Sequence, residues 1–87
     1  MSYQVAIAPA AQRDFKHLPP EVIRKVDAVI VELEQMARPH GCTKLEGSED
    51  EYRVRVGDYR ILYVIDDKAR RVTIVHVRHR RDAYRKR

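Results

Sequence analysis

Arginine occupies every second position in Tyr52-Arg53-Val54-Arg55-Val56, and another follows the turn Gly57-Asp58 at Arg60. Side chains of a strand alternate between its faces, so Arg53 and Arg55 share one face, roughly 6.5–7 Å apart. That spacing is close to the step between successive phosphates of an extended nucleic-acid strand. Arg60 lies on the neighbouring strand of the same hairpin; if it shares the face, three guanidiniums converge. Like charges gathered this way repel, and an anion between them relieves the repulsion. The planar guanidinium fork suits it, since it can clasp two phosphate oxygens. Two arginines alone would read as an edge strand protected by charge. Arg53, Arg55, Arg60 and Arg80 together read as a site for a phosphodiester.

The segment His79-Arg80-Arg81-Asp82-Ala83-Tyr84-Arg85 sets a phenol among cations. Tyr84 is suited to stack on a base or to take up a proton. An unperturbed phenol titrates near 10, and bringing it to about 7 requires about 4 kcal/mol of preference for the phenolate. Arg80 and Arg81, three to four residues back on a helix, supply part of that. The plainer alternative is an amphipathic tyrosine closing the sheet. His76 and His79 stand three apart, which in a strand puts them on opposite faces, and no carboxylate or cysteine completes a metal site. There is no Gly-rich phosphate loop, no Ser-His-Asp order and no pair of carboxylates. The chemistry expected here uses no metal and no other cofactor.

These residues need a scaffold, and the chain spells one out. Tyr3 to Ala8 alternates, with Tyr3, Val5 and Ile7 on one side: a short strand. Pro9 fits the first turn of a helix running from Ala10 to Leu18, anchored by Phe15 and Leu18. Pro19-Pro20 ends it and opens the next, because proline fixes φ and offers no N–H. From Glu21 the apolar residues Val22, Val26, Val29, Ile30, Leu33 and Met36 or Ala37 step by three and four, a single buried stripe ending near Pro39. A loop, His40 to Glu51, leads to three strands: Glu51–Val56, Tyr59–Ile65 and Arg71–Arg78. The nearly unbroken apolar run of the second marks it as a central strand covered on both faces. A basic end with one short helical turn follows. The expected architecture is α+β, in the order β-α-α-β-β-β: a largely antiparallel four-stranded sheet with a helical hairpin on one face.

Eighty-seven residues make one domain, 1–87, with one core. No run approaches the roughly 18 apolar residues of a membrane span, and the N-terminus lacks the basic start and long apolar stretch of an export signal. Cys42 is the only cysteine, so no intramolecular disulfide forms, in keeping with a cytoplasmic protein. The net charge of +5 is unevenly spread. Residues 1–43 carry five cations and five anions, whereas residues 52–87 carry twelve Lys and Arg against four acids. A half-molecule this positive is the electrostatic footprint of a polyanionic partner.

Taken together, Lys44-Leu45-Glu46-Gly47, the run from Tyr52 to Arg60 and the run from His79 to Arg85 resemble the RelE/ParE superfamily of bacterial toxins, specifically its RelE branch. The likeness spans the chain. It implies a type II toxin that enters the A site of the 30S ribosomal subunit, cuts mRNA there and is silenced by an antitoxin from the same operon. By the same resemblance, Arg53, Arg55 and Arg60 contact and stabilise the scissile phosphate, Arg80 assists the leaving group and Tyr84 is the general base. Lys44, Arg78, Arg81 and Arg85 are expected as further RNA-contacting cations. Well-known RelE members carry lysines at the strand pair. Arginine keeps the charge but argues against an ammonium as proton donor there, since it scarcely deprotonates.

RNA carries its own nucleophile in the 2′-OH, so a protein need only align it with phosphorus and neutralise charge. Two other readings use the same residues differently. One is a non-catalytic inhibitor of DNA gyrase of the ParE kind, whose members generally lack the full set of basic residues and tyrosine. The other is an RNA-binding module that breaks no bond.

Overall fold

The computed structural model describes residues 2–83. The elements run β1 (Gln4–Ile7), α1 (Pro9–Phe15), α2 (Pro20–Gln35), β2 (Thr43–Lys44), β3 (Glu51–Val56), β4 (Tyr59–Asp66), β5 (Arg71–His79) and a single helical turn, α3 (Arg80–Ala83). All strands join one sheet in the order β1-β5-β4-β3-β2. The α+β class, the helical pair and the three long strands are those expected from the sequence. The strand count differs: Thr43–Lys44 adds a two-residue ladder to β3, making five strands. The pairing of β1 with β5 is parallel, so the sheet is mixed.

Proline opens both helices at the first helical position, where its missing N–H costs nothing and its fixed φ is already helical. On α2 the apolar stripe goes inward as its spacing requires, with Val26 and Leu33 fully buried. Its last position is decided by the end of the helix. Met36 has left helical geometry at φ −145°, so it points out at 58% exposure while Ala37 turns in.

The core face of the sheet carries Tyr52, Val54 and Val56 from β3, Ile61, Tyr63 and Ile65 from β4, and Val72, Ile74 and Val77 from β5. Each such aliphatic side chain contributes about 1.5–3 kcal/mol when fully buried. Tyr63 is enclosed, stacked on Tyr52 at 5.9 Å, and its hydroxyl donates to the Ala37 carbonyl at 3.1 Å. Burial pushes this phenol well above its ordinary range.

One irregularity decides which residues of β5 reach the other face. Tyr63 pairs with Ile74 but Leu62 pairs with His76, which leaves Val75 as an extra residue in β5. The bulge explains why the buried residues fall at 72, 74 and then 77. With strict alternation Val77 would leave the core, and His76 and Arg78 would enter it.

A polar clamp closes the far corner. Arg38, just past α2, binds Asp67 with both terminal nitrogens, at 3.0 and 3.3 Å, and its Nε donates to the Tyr52 hydroxyl. The Tyr3 hydroxyl donates to the same carboxylate at 2.6 Å. Arg38 foremost, then Tyr3, hold the Asp67 carboxyl below the usual carboxylate range.

Candidate nucleic-acid interface

Residues directly opposed on neighbouring strands share a face, so the pairing register locates every strand cation. Across β3 and β4, Arg53 opposes Leu62 and Arg55 opposes Arg60. Across β4 and β5, Arg60 opposes Arg78 and Leu62 opposes His76. Arg53, Arg55, Arg60, His76 and Arg78 therefore belong to one face, the one turned away from the apolar core. Arg55, Arg60 and Arg78 form a row across three strands, at steps of about 4.8 Å. The turn that produces this register is short because Gly57 adopts φ +59°, a left-handed conformation open to glycine at little cost.

The members of the row differ in surroundings. Arg55 is exposed, Arg53 and Arg78 are half-buried, and Arg60, on the central strand, is only 5% exposed. Like charges opposed across strands are destabilising, so a phosphate at this row is favoured over any neutral group. A groove of about 400 Å³ runs beside Arg53 and Arg55, bounded by His40, Gly41 and Thr43.

Arg80 begins α3, and its N–H donates to the Asp58 carbonyl at 2.7 Å. That bond pins α3 to the β3–β4 turn, the end of the hairpin where Arg55 and Arg60 stand. Arg80 and Arg81 are both exposed. Tyr84 and Arg85 lie outside the described residues. Lys44 pairs with Tyr52, so its register belongs to the core side of the sheet, and Thr43, opposite Arg53, takes the corresponding place on the arginine face.

Sequence reasoning gives no role to Asp14 or His76, yet both border this face. Asp14 reaches from α1 to β5, where one carboxylate oxygen accepts the Val77 N–H at 3.0 Å. The same oxygen lies 3.1 Å from His76 Nδ1 and 3.6 Å from Arg78 Nε. The only signal in the sequence is that Asp14 precedes the anchor Phe15 on a short helix, which says nothing of its partner.

Among the described residues, no helix is long and apolar enough to cross a membrane.

Residues 5–84 match the family model described as the ParE toxin of the type II toxin–antitoxin system parDE. The chain is 38% identical to the toxin RelE of Mycobacterium tuberculosis, over 95% of this chain and 87% of that protein. Among solved structures it resembles the toxin–antitoxin complex RelBE2 from M. tuberculosis, with a TM-score of 0.81 and 30% identity, covering 91% of this chain and 99% of that one. It also resembles the archaeal RelE–RelB complex from Pyrococcus horikoshii, with a TM-score of 0.82 and 30% identity, covering 92% and 97% of the two chains.

Proposed function

This chain belongs to the ParE toxin family of type II toxin–antitoxin systems, in the RelE branch, and from that premise we propose that it is a ribosome-dependent endoribonuclease that inhibits translation in the cytoplasm. The observation that carries the proposal is the shared face of Arg53, Arg55, Arg60 and Arg78, with Arg55, Arg60 and Arg78 in register across three strands.

The reaction follows from what such a face can do. The ribose 2′-oxygen attacks the adjacent phosphorus in line, and the bond to the 5′-oxygen of the next nucleotide breaks. The products are a 2′,3′-cyclic phosphate and a 5′-hydroxyl. Arg53, Arg55 and Arg60 hold the non-bridging oxygens as charge builds there, and Arg80 stabilises the departing oxygen. Tyr84 takes the 2′-hydroxyl proton, and a proton is returned to the leaving oxygen. Charge stabilisation by preorganised donors is the largest contribution such a site can make, and it requires no metal and no covalent intermediate. An open basic face gives RNA no enclosing walls. Alignment of the 2′-hydroxyl therefore falls to the ribosomal A site, and free RNA is a poor substrate.

The control partner in this reading is an antitoxin encoded beside it, acidic and folding on binding over the helices and the basic face. Similarity to two toxins solved with antitoxins supports this, as do Val31 and Met36, large apolar side chains left 59% and 58% exposed. Failure of any acidic neighbour to co-purify would remove this part of the proposal.

Mapping of mRNA 5′ ends in translating extracts tests the activity. Cuts within codons that vanish in Arg80→Ala support it. DNA damage with intact mRNA would replace it with gyrase inhibition, and binding without either with a plain RNA-binding role.

A further inference from the structure

β1 pairs with β5 as far as Ile7 opposite Ile74, and beyond that point no strand among the described residues lines the outer edge of β5. Asp14 fills the gap. Its carboxylate accepts the Val77 N–H at 3.0 Å, as a neighbouring strand would. From this anchored position it lies against two side chains of the arginine face, His76 at 3.1 Å and Arg78 at 3.6 Å. Arg78 Nη2 lies 3.1 Å from His76 Nδ1, the atom that also approaches Asp14. That nitrogen can donate to the carboxylate or accept from the guanidinium, and it cannot do both. The three groups form one coupled unit held by a backbone bond, and the Val75 bulge turns two of them onto this face.

We propose that Asp14 is a positioning residue of the proposed nuclease site, acting through Arg78, and that Arg78 so held takes a second phosphodiester of the bound RNA. The inference rests on the function proposed above. Arg78 stands two strands from Arg55, roughly 9.5 Å away. The Asp14 carboxylate draws it toward the outer edge of β5, away from β3. Its anion is therefore not the phosphate gripped at Arg53 and Arg55 but a neighbour along the same RNA strand. A contact remote from the bond that breaks strengthens binding of substrate and transition state alike.

Single-turnover cleavage of mRNA on programmed ribosomes, with toxin concentration varied, tests this. Arg78→Ala and Asp14→Asn are each expected to raise the half-saturating toxin concentration about tenfold, the scale of one charge-assisted hydrogen bond, with the limiting rate unchanged. The double variant should be no weaker than Arg78→Ala alone, because Asp14 acts through Arg78. Asparagine keeps an acceptor for the Val77 N–H; should Asp14→Asn still fail to fold, His76→Gln must show the same raised half-saturation. Losses that add in the double variant, or that fall on the limiting rate, would overturn the inference, as would unchanged half-saturation. Wild-type cleavage that depends on Arg55 while these variants behave as wild type would sink this inference alone. Absence of wild-type cleavage would remove the proposed function and this inference with it.

Discussion

Arg55 and Arg60 stand directly opposite each other across the β3–β4 hairpin, one exposed and the other only 5% exposed. The pair occupies one face, but its two members are tied to the fold differently. Arg55→Ala is expected to lower cleavage on the ribosome by about 100-fold, the effect of losing one preorganised donor. Its unfolding free energy should change by less than about 0.5 kcal/mol, as for other solvent-facing substitutions. Arg60→Ala should lose activity and also about 1–3 kcal/mol of stability, because a long aliphatic stem is withdrawn from a packed position. Urea denaturation beside a cleavage assay checks both, and equal losses of stability in the two variants would refute the distinction.

The same face fixes how binding should respond to salt. Each phosphate neutralised on a single strand releases condensed counterions and contributes about −0.7 to the slope of log affinity against log salt. With one phosphate held by Arg53, Arg55 and Arg60 and a second by Arg78, a short single-stranded RNA should bind with a slope of about −1.4. Replacing Arg78 by alanine should reduce the magnitude of that slope by about 0.7. Fluorescence anisotropy across a salt series gives the number directly. A slope near zero would mean that the row contacts no phosphate.

Much of this arrangement is legible in the residues themselves. The strict alternation of β3 places Arg53 and Arg55 together, and the Gly57-Asp58 turn makes Arg60 their neighbour. Proline punctuation and the stripe on α2 give the helical pair. Long-range pairing is what the sequence leaves silent. No local pattern says that Thr43–Lys44 will pair with two residues of β3, or that β1 will lie parallel beside β5. Asp14 and Val77 are 63 residues apart, and their bond exists only because β1 stops short of the end of β5. Contacts of that kind arise from tertiary geometry and leave no periodicity to read.

The clamp at Asp67 predicts a small acid-sensitive contribution to stability. Arg38 first, then Tyr3, lower the folded-state pKa of this carboxyl relative to the unfolded chain. A group with a lowered folded pKa stabilises fully above its unfolded value, near 4, and loses that stabilisation as pH falls through the folded value. Wild type should therefore lose more stability than Asp67→Asn on going from pH 5 to pH 2.5, while both behave alike between pH 6 and 8. Thermal melts across that range check it. The carboxylate is exposed, so the difference should shrink in high salt. Parallel acid limbs for the two proteins would show that the clamp contributes nothing.

Val75 offers a test of geometry against side-chain chemistry at one position. Its side chain is only half-buried, so Val75→Ala should cost about 1 kcal/mol. Deleting the residue is a different operation, because β5 can then pair with β4 in unbroken alternation: Ile74 stays opposite Tyr63 and His76 opposite Leu62, so Val77 still faces the core and Arg78 still faces outward. The deletion should therefore cost no more than about 1–2 kcal/mol, close to the alanine variant. Urea denaturation of the two variants gives the comparison. A loss above about 4 kcal/mol would mean that the local twist of the bulge, and not only the facing of these side chains, holds the end of β5.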